Sequence, residues 1–247
     1  MNSKKKRLDQ ILVDKNLVDS KSKAQAMIMA GQIYVEGTQI NKSGLNFSQE
    51  SLIEIKNLGP IWVSRGALKL IKALDEFTIR VREKICLDIG SSTGGFTDVL
   101  LKKGAKKIYA VDVGTNQLHE KIKNNSKVIS LEKTNARYLQ KDNFKEVIDI
   151  MVCDVSFISL KKVILPNLKL LNTNSIIIVL IKPQFESKIN ELKKGVVRDS
   201  QIHTRICNEI NDWFINECKC DVIGIIESPI KGPKGNIEFL LVAKYQR

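Results

Sequence analysis

The chain has 247 residues, 43% of them hydrophobic, which suffices for one large globular domain or for a small domain joined to a mid-sized one. Its net charge of +13 favours a polyanionic partner, nucleic acid first, although a lysine-rich composition alone can raise this number. No apolar run approaches the ~18 residues of a membrane helix and the basic N-terminus lacks the apolar segment of a signal peptide, so we expect a cytoplasmic protein and no membrane partner.

The five cysteines form an odd number at spacings that bind no metal. Cys218 and Cys220 are too close together for a CxxC zinc motif, and only two histidines are present to help. Several cysteines lie within apolar runs, as buried free thiols do. We therefore expect a reducing compartment and no bound metal.

The first 58 residues predict a small, basic α+β unit. Apolar residues recur at helical spacing from Leu8, and Ser20 or Ser22 can cap a second helix that ends at Gly31. The segment QIYVEGTQI that follows predicts a β-hairpin with its turn at Glu36 and Gly37.

This unit resembles the S4 RNA-binding domain in RLDQILV at 7–13, in SKAQAMIMAGQIYVEG at 22–37, and in the spacing between them. S4 domains dock on structured RNA mostly through phosphates; a protein-interaction module is the alternative for a helix pair of this size. Residues 1–30 hold seven Lys and Arg against three Asp, which favours RNA. Most of the motif's basic residues are Lys rather than Arg. The RNA contacts expected here are Lys4, Lys5, Lys6, Arg7, Lys21 and Lys23.

The Gly-Pro pair in NLGPIW predicts a linker at 59–64, and residues 65–247 then alternate apolar strands with helices. Strand patterns lie at 85–90, 107–114, 128–133, 149–158, 175–182, 222–228 and 237–245, and helical patterns near 95–103, 115–123, 159–171 and 200–219. This alternation predicts a doubly wound α/β domain with a seven-stranded, mainly parallel sheet and a hairpin-like end.

The first strand of this domain runs into the glycine loop DIGSSTGGF, residues 88–96. Its glycines let the backbone pass close to a ligand at a helix N-terminus, but the pattern is neither GxGxxG nor a P-loop. Asp88, just before the first glycine, suits a ligand with a cationic part. Asp112 ends the second strand, where a carboxylate can accept from both ribose hydroxyls. Together these features favour S-adenosylmethionine over a nicotinamide cofactor.

The glycine loop resembles that of class I (Rossmann-like) methyltransferases, in particular the ribose-methylating branch. The resemblance implies that TNA at 134–136 lines the adenine. The S-adenosylmethionine contacts that it implies are Asp88, Gly90, Ser91, Ser92, Thr93, Gly94, Gly95, Phe96, Asp112, Val113, Asn135, Ala136 and Asp154.

Four polar residues lie at strand ends or near the linker, where the ligand-binding edge of an open α/β sheet is expected. Asp154 ends the fourth strand in DVSF, where base N-methyltransferases carry [ND]PP[FY]; the missing prolines argue against exocyclic amine chemistry. Lys182 follows six apolar residues of the fifth strand. The alternative to a functional role is a lysine at a strand end whose ammonium snorkels to the solvent. Lys69 lies just past the linker, and Glu238 opens the last strand.

In this order the four residues resemble the Lys–Asp–Lys–Glu tetrad of FtsJ/RrmJ-type ribose 2′-O-methyltransferases. With an S4 domain ahead of it, the whole chain resembles the TlyA (hemolysin A) family of ribosomal RNA 2′-O-methyltransferases, through WVSRGALKL, DIGSSTGGFTDVLL, DVSFISL, KPQFE and GPKGNIEF. The resemblance implies S-adenosylmethionine as cofactor, cytidine ribose as target and ribosomal RNA or ribosomal subunits as partner. Further RNA contacts expected are Arg65, Lys231 and Lys234.

The resemblance also implies a role for each member of the tetrad. A ribose hydroxyl must lose its proton as it attacks, and a lysine is protonated unless burial or a neighbouring cation lowers its pKa from the usual ~10.4. Lys182 is the residue nearest the 2′-OH, as general base or as stabiliser of the alkoxide. Asp154 would orient it, and Lys69 and Glu238 would position the ribose. Which lysine takes the proton stays open.

Two other function classes stay open at this point. One is an RNA-binding or assembly factor without catalysis, against which the intact tetrad and glycine loop argue. The other is the membrane-lytic activity that the name hemolysin suggests, against which the absence of a long amphipathic stretch argues. The segment 185–200 is either a lid that closes over RNA or a surface connection. Nothing in the sequence requires more than a monomer.

Overall fold

The computed structural model describes residues 5–56 and 62–246 and divides the chain into two units, 1–61 and 62–247. Lys4, one of the expected RNA contacts, and residues 59–61 of the expected linker lie outside the described residues. The boundaries 1–58, 59–64 and 65–247 stay predictions. Within the described ranges, no helix has both the length and the apolar character needed to cross a membrane.

The N-terminal unit consists of short helices and strands around a small apolar core. Its elements are β1 (Lys5–Arg7), α1 (Leu8–Asp14), α2 (Lys21–Met29), β2 (Ile33–Val35), β3 (Thr38–Ile40), β4 (Asn46–Ser48) and β5 (Ile53–Ile55). Strand β2 pairs antiparallel with β3 and β5, and β1 pairs antiparallel with β4. The apolar faces of both helices bury Leu8, Leu12 and Ile28 in this core.

The helix caps and the hairpin predicted for this unit are confirmed. Ser20 accepts a hydrogen bond from the backbone N–H of Lys23 at 3.2 Å, and Gly31 has φ +69° just past the helix. Glu36 and Gly37 both have positive φ, which the tight turn between β2 and β3 requires. Three-residue strands such as β1, β4 and β5 are too short to show a period of two, so the sequence did not predict them.

The second unit alternates strands and helices. Its elements are α3 (Ala67–Glu76), β6 (Ile85–Ile89), α4 (Gly95–Lys102), β7 (Lys107–Val111), α5 (Glu120–Lys123), β8 (Val128–Leu131), β9 (Ile148–Cys153), α6 (Leu160–Asn167), β10 (Leu171–Ile181), α7 (Pro183–Glu186), α8 (Ser200–Asn216), β11 (Cys220–Glu227) and β12 (Phe239–Tyr245). Single turns of 3-10 helix lie at Ala136–Tyr138, Lys141–Asn143, Leu168–Leu170, Ile189–Glu191 and Pro233–Gly235.

These strands form one seven-stranded sheet in the order β11-β12-β10-β9-β6-β7-β8. Strands β6 to β10 are parallel, and β12 runs antiparallel between β10 and β11, so the predicted mainly parallel sheet is confirmed. The carboxyl ends of five strands therefore meet at one edge. Because Ile181 pairs with Phe239, the end of β10 and the start of β12 lie at that same edge.

Both faces of the sheet are covered, which explains the nearly continuous apolar strands. All five residues of β6 are buried, as are the last five of β10. One face packs on α6 and α8 through residues such as Ile164 and Phe214, and the other packs on α3 and α4 through Leu70 and Val99. Burial of each such side chain stabilises the fold by about 1.5–3 kcal/mol. The five cysteines are buried and free.

Several boundaries differ from the predicted ones. The helix expected at 115–123 is only α5, because residues 114–118 form a loop that is hydrogen-bonded to Glu132 and Lys133, just after the end of β8. Helix α3 was not predicted, although its apolar residues Ala67, Leu70, Ala73 and Leu74 recur at helical spacing. Strand β10 begins at Leu171 rather than at 175, with an irregular register before Ile176.

Candidate active site

Four elements bring the tetrad to the carboxyl edge of the sheet. Asp154 directly follows β9, and its backbone N–H donates to the carbonyl of Ile89 at the end of β6 at 3.0 Å. Lys182 directly follows the neighbouring strand β10, which ends there because Pro183 begins α7. Glu238 immediately precedes β12 across from Lys182, whereas Lys69 reaches the same place from the first turn of α3.

The four side chains form an alternating chain of charges. Lys69 Nζ lies 2.8 Å from Glu238 Oε2 and 3.4 Å from Asp154 Oδ2. Lys182 Nζ lies 2.6 Å from Asp154 Oδ1. Both lysines are 7% exposed and Glu238 is 1% exposed, so little water screens these contacts. Two cations and two carboxylates balance one another, which makes their burial tolerable.

Three further side chains at this edge were not singled out by sequence reasoning. Ser156 Oγ accepts a hydrogen bond from Lys182 Nζ at 2.9 Å, and Gln184 Nε2 contacts Glu238 Oε1 at 3.5 Å. Phe157 is 90% exposed at φ +64°, with its ring centroid 5.1 Å from that of Phe185. The motifs DVSF and KPQFE contain these residues, but a positive φ at phenylalanine leaves no pattern in a sequence.

The glycine loop makes two close approaches that a side chain would block. Gly90 has φ +80°, and a Cβ there would lie 2.6 Å from the carbonyl oxygen of Asp154. Gly94 has φ +92° at the start of α4, and a Cβ there would lie 2.9 Å from Leu118. The loop therefore lies directly against the end of β9, and it leads into the N-terminus of a helix.

The two aspartates assigned to the cofactor differ in environment. Asp88 is fully buried; its Oδ2 accepts from Thr97 Oγ1 at 2.6 Å, whereas Oδ1 is buried without a hydrogen-bond partner. Burial raises the pKa of Asp88 to about 7, against the opposing effect of the Thr97 hydrogen bond. Asp112 accepts from the backbone N–H groups of Ser92 at 2.8 Å and Gly114 at 2.7 Å.

A cavity of about 250 Å³ opens at this edge. Of the residues predicted from the sequence it is lined by Arg65, Lys69, Gly90, Ser91, Ser92, Thr93, Gly95, Phe96, Asp154, Lys182 and Lys231. The expected residues that do not line it are Asp88, Gly94, Asp112, Val113, Asn135, Ala136, Lys234 and Glu238. The segment 134–136, expected to line the adenine, still begins beside Asp112, because the N–H of Thr134 donates to the Asp112 carbonyl at 2.9 Å.

The expected RNA contacts fall into two groups. In the N-terminal unit, Lys6, Arg7 and Lys23 form ion pairs with nearby aspartates, at 2.9, 2.7 and 2.7 Å. A second group is exposed: Lys5, Lys21, Arg65, Lys231 and Lys234. No group of three or more His, Cys, Asp or Glu side chains in the described part of the chain is arranged to hold a metal ion.

Comparison with known proteins gives two family matches. Residues 62–245 match the FtsJ-like methyltransferase family, and residues 6–51 match the S4 domain. The S4 match covers the helices and the hairpin from which the sequence had predicted that domain.

Relatives match over nearly the full chain. Hemolysin A of Brachyspira hyodysenteriae is 44% identical over 95% of this chain and 98% of its own. The 16S/23S rRNA (cytidine-2′-O)-methyltransferase TlyA of Mycobacterium tuberculosis is 37% identical over 99% of this chain and 91% of its own. A solved structure of a hemolysin candidate from Streptococcus thermophilus is 37% identical, with a TM-score of 0.74 over 99% of this chain and 90% of that one. The chain thus belongs to the FtsJ-like methyltransferases, and among them to the TlyA (hemolysin A) family that carries an N-terminal S4 domain.

Proposed function

We propose that this protein transfers a methyl group from S-adenosylmethionine to the ribose 2′-oxygen of cytidine in ribosomal RNA. The observation that carries the proposal is the alternating network of Lys69, Asp154, Lys182 and Glu238 beside the glycine-loop cavity. The substrate named for the relative from Mycobacterium tuberculosis supports the choice of ribosomal cytidine.

The residues present fit S-adenosylmethionine, which when bound supplies an electrophilic methyl group on a positively charged sulfur. Asp88 carries a buried carboxyl oxygen without a hydrogen-bond partner directly before the glycine loop, and a cationic part of the ligand in the adjoining cavity would stabilise the charge of that carboxyl. Gly90 and Gly95 line the cavity, so that backbone rather than a side chain faces the ligand there. Asp112 would hold the ribose of the cofactor, since each of its oxygens keeps a second lone pair.

Lys182 is placed to act on the attacking oxygen. Its ammonium is oriented by Asp154 and contacts the hydroxyl of Ser156, which lines the cavity. A ribose hydroxyl that replaced Ser156 as the acceptor would develop its negative charge against Lys182 as its proton leaves. Lys69, held between Asp154 and Glu238, keeps both carboxylates in place.

Phe157 offers a surface for the target base. Its exposed ring rests against Phe185 just outside the tetrad, so a nucleotide drawn out of the RNA could stack on it while its ribose faces Lys182. The motif lacks the two prolines that base methylation uses, so stacking here would hold the nucleotide without presenting a base nitrogen for reaction.

The test is transfer of labelled methyl from S-adenosylmethionine to purified ribosomal subunits. We expect the wild type to transfer label and Lys182→Ala to lose at least about 100-fold in rate while still binding the cofactor, since electrostatic stabilisers contribute about 10²–10³-fold. Lys162→Ala, an exposed lysine on α6, is the matched control and should transfer at the wild-type rate. If the wild type binds both cofactor and subunits but transfers no label, the protein is an assembly factor and the proposal fails.

A further inference from the structure

The two segments that carry Asp154 and Lys182 lie beyond the ends of the strands, and each follows a different strand. The Asp154 segment (residues 154–159) joins β9 to α6, and the Lys182 segment (residues 182–186) follows β10. Only the first residue of each segment adjoins the sheet: Asp154 through the bond from its N–H to Ile89, and Lys182 directly after Ile181. The 2.6 Å contact between the Lys182 and Asp154 side chains also depends on the position of the rest of each segment, which contacts between the two segments must fix.

Glu186, at the end of the Lys182 segment, makes two hydrogen bonds across to the other segment. Its Oε2 accepts from Ser159 Oγ at 2.7 Å, and its Oε1 accepts from the backbone N–H of Leu160 at 2.7 Å. Ser159 is the N-cap of α6, so Glu186 satisfies one of the free N–H groups of that helix and is favoured by its dipole. The Glu186 side chain is half-buried, and this burial raises the pKa of its carboxyl.

The other contacts between the segments involve groups that the substrate would use. Lys182 donates to Ser156, and Phe157 packs against Phe185. A bound ribose would compete with Ser156 for Lys182, and a stacked base would contact the ring of Phe157. The Glu186 bonds lie on the α6 side, and neither Glu186 nor Ser159 nor Leu160 lines the cavity. They can therefore persist while the substrate is bound.

We propose that Glu186 is a positioning residue that locks the Asp154 and Lys182 segments together and so fixes the Asp154–Lys182 pair for methyl transfer. The proposal rests on the function proposed above. Glu186 does not touch the reacting atoms; it acts through the two segments. Misplacement of a reacting group by 1 Å can lower a rate about 100-fold. The two Glu186 hydrogen bonds would therefore be needed for the rate of methyl transfer, in addition to capping α6.

The test compares Glu186→Ala with Glu186→Gln in steady-state methyl transfer to ribosomal subunits. Alanine removes both bonds, and we expect kcat to fall about 10- to 100-fold with KM for subunits and cofactor unchanged. Glutamine keeps an acceptor for Leu160 and can donate to the Ser159 hydroxyl, so it should restore kcat to near the wild-type value. Glu209→Ala, which removes an exposed glutamate on α8, is the matched control.

A helix cap without this role would lower the melting temperature in Glu186→Ala and leave kcat as in the wild type, and that result overturns the proposal. Equal loss in Glu186→Gln and Glu186→Ala also overturns it, because charge and not the bonds would then matter. If Glu186→Ala does not fold, Ser159→Ala decides: it removes one bond, and an unchanged kcat contradicts the lock whereas a reduced kcat supports it. Absence of methyl transfer by the wild type would instead refute the proposed function.

Discussion

The position of Lys182 at the end of a buried strand explains why its ammonium is held inside the protein. The six apolar residues before it are the buried end of β10, and a snorkelling lysine there would carry its ammonium to water. Instead the ammonium contacts Asp154 and Ser156, and the residue is 7% exposed. A buried cation is stable only with such a partner, so the pair is built into the fold and does not depend on a flexible surface side chain.

Asp88 gives a prediction about pH. Burial raises the pKa of Asp88 from 3.8 to about 7, so between these values the folded protein holds a proton that the unfolded chain has released. The Asp88 contribution to the free energy of unfolding should therefore be fully present below pH 4 and fall as the pH rises toward 7. At about 1.4 kcal/mol per pKa unit, the change amounts to as much as about 4 kcal/mol.

The measurement is chemical denaturation of the wild type and Asp88→Asn at several pH values. Asparagine cannot ionise, so the unfolding free energy of the wild type minus that of the variant should fall by as much as about 4 kcal/mol from pH 4 through pH 7 and then stay constant. Asp221→Asn, at an exposed position on β11, serves as the control. A difference that does not change with pH would show that Asp88 does not titrate in this range.

At the scale of elements, the loop between β6 and α4 depends on a close approach to β9. Gly90→Ala would place a methyl group 2.6 Å from the carbonyl of Asp154 at a positive φ. We expect a loss of about 2–4 kcal/mol of unfolding free energy, about 1 for the φ angle and the rest for the overlap, and weaker cofactor binding. Thermal unfolding and calorimetric titration with S-adenosylmethionine measure the two effects.

Gly235→Ala is the matched control for this substitution. Gly235 has φ +83° but no atom within 4 Å of a Cβ, so it carries the cost of the φ angle without the overlap. The unfolding free energies of the two variants should therefore differ only by the cost of the overlap between the new methyl group and the Asp154 carbonyl. Equal destabilisation by both would mean that the approach of the glycine loop to Asp154 is not tight.

Elements of strong periodicity were predictable, and those fixed by tertiary contacts were not. Strands β6 to β10 are recognisable as apolar runs because both faces of the sheet are covered. Helix α3 has apolar residues at helical spacing and was predictable too, whereas the shortened α5 follows from loop contacts that no local pattern records. At the site, chain order and motif placed all four charged residues together, but the contacts of Ser156 and Phe157 depend on backbone angles within the Asp154 segment.

The segment 185–200 is anchored near both ends. Glu191 forms an ion pair with Arg205 at 2.8 Å, and the N–H of Val197 donates to Asn236 Oδ1 at 3.3 Å. Together with Glu186, these contacts confine any movement to the stretch between the anchors. Closure of this segment over RNA stays a prediction.

For the whole molecule, charge leads to a prediction about salt. With a net charge of +13, binding to ribosomal subunits should weaken linearly in a plot of log affinity against log salt concentration. A double variant Lys5→Ala and Lys21→Ala, in the N-terminal unit, should reduce the slope by about 1.4–1.8, or about 0.7–0.9 for each phosphate that is no longer neutralised. Filter binding at several salt concentrations measures the slope.

The control is Lys106→Ala combined with Lys127→Ala. These exposed lysines precede β7 and β8, at the edge of the sheet opposite the cavity. Their removal lowers the net charge equally but should leave the slope unchanged. If both double variants shift the slope by the same amount, the attraction is a property of net charge and not of the S4 domain.

The most direct test of the proposed function is the identity of the methylated nucleoside. Ribosomal subunits incubated with the protein and S-adenosylmethionine are digested to nucleosides, and the products are resolved by mass spectrometry. The network of Lys69, Asp154, Lys182 and Glu238 supports methylation of a ribose, and the proposed function as a whole predicts 2′-O-methylcytidine, formed by the wild type and absent with Lys182→Ala. A methyl group on a base, or a ribose methyl that persists in Lys182→Ala, would contradict it.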